Sequence, residues 1–280
     1  MELEREILPA GSQPYYNSLF FSPELRGRIF KLYSFVRLAD DYVDQLPQNI
    51  QAFNQLKTVW QRLRDLPMRE LQKQPEDDIN THVVKNICRL VILRHLQREW
   101  VDAFLESMAS NTKTSTYATL HDTLQYVHGS AEVVGLMAAK LMDLPETAMG
   151  FAAAQGRAVQ WITFLRDIVR HNQLGRTYFP QEDLKKFGLK DLQEQTVRRK
   201  PEALTDFVHL QLERYHEWQN QAAQGFYTIG RRQRVAVQAA VDGYNWTARQ
   251  IAKNPLVIYD RQLKPGKPRL VGYAVGHLFD

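Results

Sequence analysis

Two short segments carry the side chains able to do chemistry. The first reads Arg37-Leu38-Ala39-Asp40-Asp41-Tyr42-Val43-Asp44, and the second, more than a hundred residues later, reads Arg166-Asp167-Ile168-Val169-Arg170-His171. Each sets an arginine just before an acid and a second candidate ligand four residues after an acid. Positions i and i+4 share one face of a helix, so Asp40 points with Asp44 and Asp167 with His171. Two such faces opposed across a cavity would hold divalent cations and a diphosphate. The second face ends in His where a matched pair would have Asp.

The acids of the first segment sit at the C-terminal end of an apolar stretch, where the helix dipole disfavours anions, so they call for a cation. Mg²⁺ suits such oxygen ligands, because it binds one or two carboxylates plus substrate phosphates. The plain alternative is a solvated helix end, with Pro47 following shortly. In the second segment Gln160, Thr163, Asp167, Arg170 and His171 lie near one helical face, flanked by Arg166 and Arg176, with Gly175 as a breaker. Arginine clusters suit diphosphate through bidentate hydrogen bonds. The alternative there is an Asp167–Arg170 helix pair beside an exposed His171.

The elements that must position these residues read as helices almost throughout. Helical periodicity predicts helices over 25–42, 51–66, 79–104, 119–142, 148–169, 202–229 and 232–251. Strand signals are poor. Prolines 67, 75, 145, 180 and 201 fall near helix edges. Gly129, Gly135 and Gly156 lie inside helical patterns, where each costs about 1 kcal/mol against alanine. They either permit close helix–helix contact or leave room for a bulky apolar ligand. Tyr126, Ser130 and Val134 share a stripe that would line such a tunnel.

Composition narrows the class. The 280 residues are 44% hydrophobic and 24% charged, a globular balance with a core of useful size. The single cysteine, Cys88, excludes an intrachain disulfide and a cysteine-based zinc cluster. The net charge of +5 is spread out, with no recognition motif for nucleic acid, so no nucleic-acid partner is expected. A mild attraction to anionic lipid surfaces or diphosphates fits that charge. The acidic N-terminus lacks an apolar signal core, and no apolar run reaches membrane-spanning length. The expectation is a cytoplasmic protein, at most peripheral at a membrane.

Three stretches together resemble the squalene and phytoene synthases, the head-to-head trans-isoprenyl diphosphate synthases. Leu32 to Asp44 is similar to that family's first aspartate-rich motif without loss. Tyr126-Val127-His128-Gly129-Ser130-Ala131-Glu132-Val133-Val134-Gly135 is similar to its central glycine-containing helix. Phe164 to Ile168, with Leu174-Gly175-Arg176-Thr177-Tyr178-Phe179-Pro180, is similar to its second motif and the following turn. The likeness runs from about Tyr15 to Pro268 and is closest to phytoene synthase.

The resemblance implies an all-α fold, a single isoprenoid-synthase-type helical bundle around a central cavity. It would span residues 1–280, with an irregular lead-in over 1–24 and a less regular tail over 254–280. It implies condensation of two prenyl diphosphates through a cyclopropyl diphosphate, with Mg²⁺ as cofactor and Mn²⁺ as a substitute. By position, Asp40, Asp44 and Asp167 would hold metal, with His171 a further candidate ligand. Arg37, Arg166 and Arg176 would contact phosphate oxygens. Tyr126, Tyr178 and Tyr244 would lie near the reacting carbons and the leaving group. Phe20 and Val134 would line the prenyl tunnels, with Gln160 at their junction. The family's second motif offers Asn, Asp and Asp at four-residue intervals where this chain has Thr163, Asp167 and His171, and Arg170 replaces an acid. Imidazole suits Mn²⁺, Fe²⁺ or Zn²⁺ better than Mg²⁺. That departure leaves two other readings open: a non-catalytic prenyl-lipid or partner binder, and a terpene cyclase on the same scaffold.

Overall fold

A computed structural model describes residues 21–277. Helix α1 spans Pro23–Asp44, α2 Ile50–Leu63, α3 Met68–Lys73, α4 Ile79–Arg94 and α5 Arg98–Ser110. A two-residue strand β1 (Thr116–Tyr117) leads to α6 (Leu120–Val127), a π-helical turn over His128–Glu132, and α7 (Val133–Leu141). Helix α8 (Met149–Arg166) is followed at once by α9 (Ile168–Gln173), then β2 (Thr177–Pro180), α10 (Gln181–Lys186) and α11 (Glu194–Arg198). The chain closes with α12 (Pro201–Ala223), α13 (Arg231–Lys253), α14 (Val257–Asp260) and α15 (Lys267–Gly276).

Local chemistry sets the helix starts. The Ser22 hydroxyl accepts from the Leu25 amide at 3.2 Å, and Pro23 at the first helical position gives up no needed donor. Asn49 and Asp78 cap α2 and α4, and Thr119 forms a reciprocal capping box with Asp122. Helix α8 lies at the centre, packed on α12, α7, the π turn and α13. Its Trp161, Phe164 and Leu165 sit in the core with Phe35 and Leu32 of α1, Phe104 of α5, and Phe207 and Tyr215 of α12.

The all-α expectation holds, with corrections to individual elements. The helix expected over 79–104 is two, because His95 adopts a left-handed conformation at φ 53° and turns the chain between α4 and α5. The helix expected over 119–142 is broken by the π turn. The one expected over 148–169 ends at Arg166, because Asp167 leaves helical geometry at φ −105° and ψ 19°. The one expected to run to 229 stops at Ala223, short of Gly225. A parallel ladder pairs Thr116 with Thr177 and Tyr117 with Pro180, too short to announce itself by alternation. The tail expected to be less regular contains α14 and α15, and α1 begins inside the expected lead-in. Among the described residues no helix is long and apolar enough to cross a membrane.

The three helical glycines answer the question left by the sequence. A Cβ on Gly129 would lie 2.6 Å from the Ala103 carbonyl oxygen, one on Gly135 2.4 Å from that of Ala152, and one on Gly156 2.4 Å from that of Ala131. All three are sites of close backbone approach. Gly135 and Gly156 also line a cavity, so close approach and open space meet at these two positions.

Candidate active site

An apolar cavity of about 370 Å³ lies between α1, the π turn, α7, α8, the end of α12 and α13. The volume is within the range of about 300–1,000 Å³ usual for small-molecule sites. Chain direction fixes its two ends. Phe21, Met142, Phe151 and Phe226 mark one end; Val36, Gln160 and Tyr244 mark the other. Val36 precedes Asp40 by one helical turn, and Gln160 precedes Asp167 by two. The Tyr244 hydroxyl is within electrostatic reach of Arg166 and Asp167, and burial raises its pKa. The cavity is therefore greasy along its length and charged at one mouth.

The charged mouth is built from both segments. On α1, burial and the neighbouring Asp44 push the Asp40 carboxyl up to about 7, against the pull of Arg37 and Arg170. Arg37 donates to Asp41 at 3.0 Å. Facing them, Arg166 grips Asp167 with two hydrogen bonds of 2.8 and 2.6 Å. Burial works to raise the Asp167 carboxyl, but the Arg166 fork outweighs it and holds the group below its ordinary value. Arg176, 4% exposed as a side chain, forms an ion pair with Asp44 and donates to the Val43 carbonyl at 2.9 Å. Arg170 donates to the Asp44 carbonyl at 3.0 Å. The second segment thus reaches across to the end of α1 through two guanidiniums.

Behind the mouth lies a relay of side chains. Arg176 donates to the Tyr178 hydroxyl at 3.2 Å, Tyr178 donates to Asn111 Oδ1 at 3.2 Å, and Asn111 Nδ2 donates to the Tyr126 hydroxyl at 2.9 Å. The rings stack: Phe164 on Tyr178 at 4.5 Å and 5°, Tyr126 on Tyr178 at 5.1 Å. Burial raises the pKa of Tyr178 and Tyr126, so both stay neutral. The His171 ring stands edge-on to Tyr178 at 4.7 Å, and burial lowers its pKa to about 4, which leaves it neutral near pH 7.

Most predicted site residues meet at this mouth: Asp40, Asp44, Arg37, Arg166, Asp167, Arg176, Gln160 and Tyr244. Val134 lines the cavity as expected, and so does Ser130, whose buried hydroxyl oxygen has no hydrogen-bond partner among the described residues. Tyr126 does not line it; the π turn sends its ring to the Tyr178 stack instead. Phe20 lies outside the described residues. The alternative of an Asp167–Arg170 pair beside an exposed His171 does not hold: Asp167 pairs with Arg166, and His171 is enclosed by Phe164 and Tyr178. Sequence reading missed Tyr33, which lines the cavity and has its pKa raised to about 12 by burial, and Asn111, the centre of the relay. Tyr33 lay on the apolar face of α1 one turn before Arg37, a usable signal. Asn111, at a helix end before Thr112 and Lys113, gave none.

Among the described residues no three His, Cys, Asp or Glu side chains are placed to cage a metal ion. The donors nevertheless suit Mg²⁺ completed by phosphate oxygens. Asp40 makes no ion pair or side-chain hydrogen bond among the described residues, and its proximity to Asp44 is unfavourable until a cation arrives.

The helical bundle is of the isoprenoid-synthase type. The structure is similar to a dehydrosqualene synthase (TM-score 0.78, 20% identity, 99% of this chain and 94% of that one) and to a squalene synthase from Alicyclobacillus acidocaldarius (TM-score 0.75, 20% identity, 90% and 92%). The squalene/phytoene synthase profile matches residues 9–269, and the chain belongs to that family. It is 29% identical over 187 residues to 15-cis-phytoene synthase of Pantoea ananas, covering 66% of this chain and 60% of that protein. To phytoene synthase 1 of Arabidopsis thaliana it is 25% identical, covering 92% and 60%; to 15-cis-phytoene synthase of Synechococcus elongatus it is 25% identical, covering 92% and 85%. The matched stretch thus spans about 60% of the length of the first two relatives.

Proposed function

We propose that this chain, acting as one helical domain, is a phytoene-synthase-like prenyltransferase. It joins two prenyl diphosphates head to head, most simply two geranylgeranyl diphosphates, through a cyclopropyl diphosphate and with release of diphosphate. The observation that carries this reading is the apolar cavity that runs toward opposed carboxylates and guanidiniums. Asp40 and Asp44, with Asp167 from the facing wall, would hold Mg²⁺. When bound, the metal supplies positive charge against the departing diphosphate. Arg37, Arg166 and Arg176 stabilise the same developing charge by hydrogen bonding. Tyr244 and Gln160, at the boundary of grease and charge, orient the allylic carbons. The Tyr126–Tyr178 stack behind the mouth holds Arg176 in place through the Tyr178 hydroxyl. The apolar wall keeps water from the allylic cation.

Incubating purified protein with geranylgeranyl or farnesyl diphosphate and Mg²⁺ or Mn²⁺, with product mass as readout, tests the proposal. A coupled product carrying two chains is the expected result. A cyclised single chain would assign a cyclase. No turnover with either metal would assign a prenyl-lipid binder, a reading favoured by the capture of both Asp167 oxygens by Arg166.

Residue 171 gives a second expected result. An aspartate there would add an anionic oxygen four residues after Asp167. His171→Asp should lower the Mg²⁺ concentration for half-maximal turnover by about tenfold, the scale on which neighbours of metal ligands act. An unchanged Mg²⁺ requirement would show that this position does not face the metal.

A further inference from the structure

Four arginines and four aspartates meet at the mouth, and their pairing is uneven. Arg37 is committed to Asp41, Arg166 to Asp167 and Arg176 to Asp44. Two groups are left over. Asp40 has no partner among the described residues. Arg170 has no carboxylate partner among them either, and its guanidinium is held only by the Asp44 carbonyl. Arg170 is exposed, while Asp167, one turn earlier, has both oxygens occupied by Arg166. A carbonyl hydrogen bond neutralises no charge, and Asp40 and Asp167 act on Arg170 only at a distance, without an ion pair, so its guanidinium still attracts an incoming anion.

We propose that Arg170 is the standing cation of the second wall: it binds the diphosphate of a prenyl substrate directly, before and independently of metal. Asp40 and Arg170 then divide the work, the carboxylate recruiting metal and the guanidinium recruiting phosphate oxygens. The guanidinium fork matches two phosphate oxygens and exchanges one carbonyl contact for a charge-assisted pair. This rests on the diphosphate reading of the site. It adds that one wall works by arginine where the other works by carboxylate.

Isothermal titration of the intact protein with inorganic diphosphate, in EDTA and again with excess Mg²⁺, tests the assignment. In EDTA the unaltered protein should bind diphosphate, and Arg170→Ala should weaken that binding about tenfold, the scale of one charged hydrogen-bonding contact. Arg170→Glu should weaken it further. With excess Mg²⁺ the loss in Arg170→Ala should shrink. Arg170 is exposed, so both variants should fold, which circular dichroism checks. Unchanged affinity in EDTA for Arg170→Ala would overturn the proposal. So would an equal loss in Arg69→Ala, an exposed arginine on α3, because net charge alone would then explain it. Absence of prenyl coupling alongside the expected titration would remove the proposed reaction but leave Arg170 as a diphosphate ligand. Coupling with no Arg170 effect would remove the ligand alone.

Discussion

Asp40→Asn should abolish the proposed coupling, with a loss of at least about a thousandfold in kcat/KM, and at the same time raise the melting temperature of the metal-free protein. The two effects share one cause. Asp40 is buried beside Asp44, the pull of Arg37 and Arg170 offsets this only in part, and its pKa is raised to about 7 from an ordinary 3.8. A carboxyl raised on folding binds its proton more tightly in the folded state. Stability therefore falls as pH climbs from about 4 through 7, and the full cost stands above 7. Asparagine removes that cost. The gain, on the order of 1 kcal/mol or more, should show at pH 8 and vanish near pH 4. Added Mg²⁺ should stabilise the unaltered protein more than the variant, and its affinity should fall as protons compete below pH 7. Thermal melts at the two pH values, with and without Mg²⁺, are the measurement. Equal melting temperatures at pH 8 would contradict the strained-acid account of Asp40.

Gly156→Val is expected to have the largest structural effect. A Cβ there meets backbone, 2.4 Å from the Ala131 oxygen and 3.1 Å from the Glu132 Cα, and backbone cannot swing aside. Gly135 lies on the other side of the same crossing, where a Cβ would come 3.6 Å from the Gly156 Cα. The substitution must drive α8 from the π turn at a cost of about 3 kcal/mol. In a chain of this size that corresponds to a fall of about 6–12 °C in Tm. The cavity between these helices should lose its shape with it. Gly150 is the control on the same helix: nothing lies within 4 Å of its Cβ position, so Gly150→Ala should stabilise by about 0.5–1 kcal/mol. If both variants melt together, the close crossing is not what fixes these helices.

The sequence carried the helical class and most of the mouth because both depend on short-range spacing. Asp40 and Asp44 share a face by virtue of four-residue separation alone. The apolar face of α1 likewise declares itself over residues 25–42. What escaped depends on long-range placement. That Arg166 takes Asp167, while Arg170 turns away to the end of α1, follows from the break in helical geometry at Asp167, which no local residue signals. Asn111 joins Tyr178 to Tyr126 across 67 and 15 positions. The π turn is equally silent, because apart from Gly129 nothing in His128 to Glu132 departs from the pattern of a regular helix.

That turn acts as a phase shifter in the wall of the cavity. A π turn holds one residue more than a regular helix would, and each residue of an α-helix advances the face by about 100°. Everything after it, Val134 and Gly135 included, is thereby rotated relative to Tyr126. Tyr126 can then face the aromatic stack while Val134 faces the cavity and Gly135 meets α8. Removing a single residue between His128 and Glu132 would give a more regular helix, with no atom of the charged mouth touched. It would also turn the α7 wall about a quarter revolution and present the cavity with the wrong side of its own helix.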